Sequence, residues 1–248
     1  MTIADIQNIR LYERKALPLV LEWLDSDETL VITGSRQVGK TSLLFLLIQM
    51  FTIENISAFN RLTSLLGFQI GQMVNIQELS TAVSSARQTL QNYLFILEST
   101  FILRLLYPFY TNKRKEIVKM PKVYFYDIGL RNQLVKNVQP LHQRTDAGAV
   151  VENFSFSQMI AGQKVQETVK FWRSQNGNEV DFIIESADIV PVEVKYRPFT
   201  QPQIPNGIRF FVQKYASKNA FVVTKDYYAH VREKGCNIFF IPAPLFSM

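Results

Sequence analysis

Apolar residues along this chain recur first at helical spacing and then at strand spacing, and the change of period divides the sequence. Over residues 56–70 they fall at Phe59, Leu62, Leu65 and Leu66, which predicts one helix ended by Gly71. Asn75 followed by Glu78 has capping-box spacing, so a short helix is expected to open there and to close at Ser84-Ser85. Leu90, Tyr93, Leu94 and Leu97 share the core face of a third helix over 86–97. Strand-like runs follow at 101–106 and 123–126, joined by a loop holding Lys113, Arg114, Lys115 and Lys119. Ahead of all these, residues 11–24 read as an amphipathic helix interrupted by Pro18. Residues 29–33 read as a short buried strand and 42–50 as an apolar helix.

Beyond residue 145 the alternation is that of strands. A helix over 149–160 carries Glu152, and a hairpin then runs through 169–174, an Asn176-Gly177 turn and 179–184. In the next run Val190, Val192 and Val194 share one face and Glu193 and Lys195 the other. By the same rule Val180, Phe182 and Ile184 pack one way and Asp181 points opposite. Residues 141–145 read as a linker into this last unit.

Composition sets bounds on this picture. Hydrophobic residues make up 47% of the chain and charged ones 19%, enough for buried cores and too apolar for a disordered chain. A single cysteine, Cys236, forms no internal disulfide and is expected to act as a small buried hydrophobe in a reducing cytoplasm. No signal peptide or membrane span is predicted. His142 and His230 lack companions and are expected to be structural or exposed. Net charge is +6, and its position matters more than its size. Residues 51–145 carry eleven basic and five acidic groups, whereas the two flanking segments are nearly balanced. A polyanion is therefore expected to meet the middle of the chain.

Three stretches carry candidate chemistry. Residues 34–41 spell G-x-x-x-x-G-K-T between a predicted strand and helix, the spacing of a phosphate-binding loop. Gly34 and Gly39 let backbone N–H groups curl around phosphate, Lys40 reaches the β/γ-phosphates, and Thr41 offers a hydroxyl to Mg²⁺. Hydrolysis would need an acidic strand and an arginine finger, and neither stands clearly behind the loop. The three helices with their basic hairpin describe a winged helix-turn-helix. Its third helix would point Arg87, Gln88, Gln91 and Asn92 at DNA, with Lys113, Arg114 and Lys115 on the wing. The same unit also serves as a packing module. In the last unit Asp181, Glu193 and Lys195 converge if their strands are neighbours, with Glu152 available from the helix. Asp181 and Glu193 are the expected Mg²⁺ ligands, and Lys195 would orient or help deprotonate a water.

Residues 31–41, then 93–107 with 121–130, then 171–195 together resemble prokaryotic AAA-type ATPases with a winged helix and a restriction-nuclease-like C-terminal domain. The resemblance implies a mixed α/β and α+β fold in three parts. These are a truncated P-loop segment (1–52), a winged helix-turn-helix (53–144) and a restriction-nuclease-like domain (145–248). Family members continue from the phosphate loop through the rest of an ATPase domain, about a hundred residues by the usual size of such domains. Here Phe51 leads directly toward the winged-helix region. The expectation is a cytoplasmic protein with weak or vestigial ATP binding and no turnover of its own, interacting with DNA and with a protein partner or a second copy. The alternatives are a Mg²⁺-dependent deoxyribonuclease, with Glu152, Asp181, Glu193 and Lys195 catalytic, and a non-catalytic interaction module.

Overall fold

The computed structural model describes residues 17–22, 53, 55–110, 120–174 and 176–246. A short helix α1 spans Leu17–Leu21, and the phosphate-loop residues lie outside the described set. Three helices follow: α2 (Ile56–Phe68), α3 (Ile76–Val83) and α4 (Arg87–Ser99). They bury the apolar positions that their spacing selects, with Leu62 and Leu66 on α2, Leu79 and Val83 on α3, and Leu90, Tyr93, Leu94 and Leu97 on α4. Each helix start has a local cause. Asn55 Oδ1 caps α2 through the Ala58 N–H at 2.9 Å, and Asn75 Oδ1 accepts from Gln77 N at 2.9 Å to open α3. The expected capping box forms only by half, because Glu78 Oε1 takes the Asn75 side-chain amide at 2.9 Å instead of its backbone N–H. Ser84 ends α3 in the left-handed region at φ 54°. Helix α2 stops at Phe68, capped by Gln69, three residues before Gly71.

Strands β1 (Leu103–Leu106) and β2 (Lys122–Phe125) form an antiparallel ribbon in which Leu103 faces Phe125 and Leu106 faces Lys122. Helix α5 (Ile128–Leu134) begins at Asp127, whose Oδ1 accepts the Leu130 N–H at 2.9 Å. A short 3-10 turn at Leu141–Gln143 leads to α6 (Ala147–Gly162). The expected linker is therefore an ordered junction. Leu141 packs against the hydrophobic clusters on both sides of it. Buried Arg131 joins Gly67 O at 2.7 Å to Asp146 Oδ2 at 2.7 Å. Arg144 grips the same carboxylate, and its hydrogen bonds together with those of Arg131 hold Asp146 well below the usual carboxylate range despite its partial burial.

The remaining chain builds a six-stranded mixed sheet with strand order β3-β4-β5-β6-β8-β7. Its strands are β3 (Thr168–Arg173), β4 (Glu179–Glu185), β5 (Ile189–Lys195), β6 (Asn219–Thr224), β7 (Ala229–Glu233) and β8 (Cys236–Pro242). The first three are antiparallel. The crossover from β5 to β6 is parallel and passes through α7 (Asn206–Tyr215). Alternation along the strands covers both faces. Phe182, Ile184, Val192 and Val194 pack under α6 residues Val151, Phe156 and Met159. Ile183, Val222 and Phe240 pack under α7 residues Ile208, Phe211 and Val212. A Cβ on Gly207 would stand 1.8 Å from Glu179 O, so only glycine lets α7 lie this close to β4. The β3–β4 loop closes between Ser174 and Asn178, with Gly177 at φ 82°, and is thus one residue longer than a two-residue Asn-Gly turn.

The ribbon packs against the sheet. Leu106 and Tyr124 belong to the α6-side core of the sheet. Tyr107 O and Phe109 N hydrogen-bond the backbone of Phe171 on the outer strand β3. Asn153, fully buried on α6, brackets the Phe125 backbone by accepting its N–H at 2.8 Å and donating to its carbonyl at 2.7 Å. Cys236 is buried and its thiol is pushed up by that burial, in line with a packing role. His230 lies flat on Phe239 with ring centroids 4.6 Å apart.

Candidate functional site

Where β4 reaches Asp181 the regular pleat breaks. Lys170 pairs with Ile183 and Trp172 with Val180, so Phe171 alone stands opposite both Asp181 and Phe182. This bulge turns Val180 to the α7 side with Ile183, not to the side of Phe182 as strict alternation predicts. The β4–β5 ladder also stops at the Phe182–Val192 pair. Beyond it, side chains take over the bonding. Asp181 Oδ2 accepts the Val194 N–H at 2.8 Å, and Glu193 Oε2 accepts the Asp181 N–H at 3.3 Å. Lys195 Nζ closes on Glu193 Oε1 at 2.5 Å. Asp181, Glu193 and Lys195 are thus brought together.

Glu152 reaches the same place from α6 and accepts the Tyr124 hydroxyl at 2.6 Å. Two further members had no signal of their own in the sequence pattern. Lys122, on β2, extends its side chain to Glu179 Oε1 at 2.5 Å, Glu152 Oε1 at 3.7 Å and Asp181 Oδ1 at 3.8 Å. Its side chain is 4% exposed. Glu179 also stands 3.7 Å from Arg173. A lysine inside an apolar strand reads as outward-facing, which is why Lys122 escapes notice. Its neighbours Val123, Tyr124 and Phe125 are all buried too, a burial that the apolar run alone does not assign to the lysine before it. Gly71 roofs the cluster at φ 73°, and a Cβ there would meet Glu152 Oε1 at 2.9 Å.

Four carboxylates and two ammonium groups in so little space cannot all keep ordinary affinities for protons. Burial, reinforced by Asp181, raises Glu152 to about 8, against the opposing pull of Lys122 and Tyr124. Burial and Asp181 likewise raise Glu193 to about 7, with Lys195 opposing. Burial alone would lower Lys122, but Glu152, Asp181 and Glu179 outweigh it and keep the ammonium charged. Lys195 follows the same logic with Glu193 and Asp181 as its main partners. Burial and Glu152 hold the Tyr124 hydroxyl well above its ordinary value, so it stays a donor.

Mg²⁺ takes hard oxygen ligands, and Asp181 and Glu193 are chemically suited to it. In this structure Asp181 Oδ2 accepts the Val194 N–H, Glu193 Oε2 accepts the Asp181 N–H and Glu193 Oε1 accepts Lys195, while the Lys122 ammonium stands 3.8 Å from Asp181 Oδ1. Among the described residues no group of three or more His, Cys, Asp or Glu is placed to hold a metal ion. A divalent cation at Asp181 Oδ1 would stand beside the Lys122 ammonium, a like charge.

The other expected site residues are distributed as follows. Arg87, Gln88, Gln91 and Asn92 all lie exposed on the outer face of α4, where Gln88 Nε2 touches Asn92 Oδ1 at 3.4 Å. Gly34, Gly39, Lys40, Thr41, Lys113, Arg114 and Lys115 lie outside the described residues. A groove of 680 Å³ opens around Asn60, Arg61 and Ser64 on α2 and shares no residue with the carboxylate cluster.

Residues 147–246 match a family model described as a domain of unknown function (DUF4143). Residues 47–141 match a second domain of unknown function (DUF8612). Two curated relatives are the uncharacterized proteins Rv2008c of Mycobacterium tuberculosis and Mb2031c of Mycobacterium bovis. Each is 28% identical over 155 residues, or 62% of this chain. The aligned region spans 35% of the relatives' own length. Among solved structures, a half-complex of Thermococcus gammatolerans McrB AAA+ hexamers with bound McrC aligns over 75% of this chain and 46% of that one. Identity is 9% and the TM-score 0.33, too low to bear on fold or function. Among the described residues no helix is long and apolar enough to cross a membrane.

Proposed function

We propose that this chain is a DNA-interacting protein of the AAA-ATPase-associated kind. In this reading α2, α3, α4 and the β1–β2 ribbon act as a winged helix, and the C-terminal sheet is a restriction-nuclease-like core that does not cleave. The observation that carries it is the face of α4. Its inner residues are buried, while Arg87, Gln88, Gln91 and Asn92 form an exposed polar row. That row lies in the segment that holds the chain's whole positive excess. Arginine suits phosphate or guanine, and the amides suit adenine edges in a major groove. Nucleotide binding at residues 34–41 stays an expectation of the sequence.

Fluorescence anisotropy with a labelled duplex at several salt concentrations tests this. Binding should weaken steeply with salt, and neutralising Lys113, Arg114 and Lys115 together should flatten the log–log slope by about 0.9 per lost phosphate contact. Gln88→Ala or Gln91→Ala should alter sequence preference more than overall affinity. Unchanged affinity in the triple charge variant would favour the packing-module reading. A second reading, a Mg²⁺-dependent deoxyribonuclease, is favoured by one observation, the meeting of Asp181, Glu193 and Lys195 where the strands part.

A further inference from the structure

The centre of the carboxylate cluster is filled by a group from a different part of the chain. Lys122 belongs to the ribbon, whereas Glu152, Glu179 and Asp181 belong to the C-terminal unit. Its path there is fixed on every side. Val123 N and O are bonded to Gln72 and Gly71, Phe125 is bracketed by Asn153, and the Lys122 ammonium stands 5.4 Å from the centroid of the Phe171 ring. A bidentate or shared carboxylate site for a divalent ion and a lysine ammonium make the same electrostatic demand, and both cannot be met in one place.

We infer that Lys122 is a built-in cation that closes this cluster, so that a divalent metal can occupy it only when the ribbon withdraws its lysine. The inference rests on the nuclease-like reading of the core and is independent of DNA binding by α4. It makes the ribbon an internal inhibitor. The hydrophobic contacts of Leu106 and Tyr124 dock the ribbon, and docking delivers the charge. Anything that lifts the ribbon from α6 would take this cation away from Glu152, Glu179 and Asp181.

Mn²⁺ binding tests it, followed by isothermal titration and by the melting temperature of the full chain. The wild-type protein should show no saturable 1:1 Mn²⁺ site in the millimolar range and no Mn²⁺-dependent rise in melting temperature. Lys122→Met keeps the aliphatic stem and removes the charge. It should gain a 1:1 site at least about tenfold tighter than anything in wild type, because a like charge beside the ion has gone, and it should be stabilised by Mn²⁺. Lys122→Arg should behave as wild type. If methionine prevents folding, Lys122→Gln, which retains a donor toward Glu179, provides the same comparison. Stoichiometric Mn²⁺ binding by wild type would overturn the inference and leave the nuclease reading standing. Absence of binding in both the methionine and glutamine variants would overturn both. DNA retention would be untouched by either result.

Discussion

Glu152 is the residue whose protonation most directly reports on the cluster. Its folded value near 8, and that of Glu193 near 7, both lie above the ordinary 4.5. Between those limits the folded chain holds protons that the unfolded chain has released, so stability falls as pH rises. The loss begins above about 5 and is complete above about 8. Urea unfolding at pH 5.5 and 8.5 should show a lower midpoint at the higher pH, and Glu152→Gln should flatten that difference because the amide cannot ionise. An equal slope in the variant would mean that other groups set it. At this scale the sequence was legible in part. Asp181, Glu193 and Lys195 could be placed together because they lie on consecutive strands, although a bulge breaks the strict alternation at Asp181. Lys122 and Tyr124 could not, because their partners are distant in sequence and no periodicity links a ribbon lysine to a carboxylate on another sheet.

Among the elements, helix existence and faces followed directly from apolar spacing, as α2 and α4 demonstrate with Leu62, Leu66, Leu90 and Leu97 buried. The β4 bulge did not. It is a shift in the β3–β4 register at Lys170 to Trp172, beside the Asp181 that takes the Val194 N–H, and local propensity does not encode it. The packing of α7 on β4 was equally hidden, since Gly207 resembles any helix-start glycine until Glu179 O is seen against it. Gly207→Ala should force α7 outward and destabilise the fold by about 2–3 kcal/mol, with loss of packing around Phe211 and Trp172. Guanidinium unfolding would measure this. A change below half a kcal/mol would show that the helix shifts freely and that the close contact is not required.

For the molecule as a whole, the six-stranded sheet and the ribbon share a core, and that sharing carries Lys122 into the carboxylates. The three helices of residues 56–97, the strands on either side of the basic loop and the run from the 149–160 helix to Lys195 were readable from the chain, but α5, the elements after Lys195 and the joint between the units were not. Residues 141–145 have the look of a linker, yet Arg131, Arg144 and Asp146 weld the turn and Leu141 fills space on both sides. The joint brings the ribbon's Lys122 among the carboxylates of the C-terminal unit. It also gives the account a single decisive outcome, in which the protein should hold DNA without cutting it. Incubation of the full chain with supercoiled plasmid in Mg²⁺ or Mn²⁺ at low salt, resolved by gel electrophoresis, reads both properties at once. Retarded migration, with the plasmid still supercoiled after deproteinisation, is the expected result. Conversion to nicked or linear plasmid by wild type, abolished in Asp181→Asn, would contradict it.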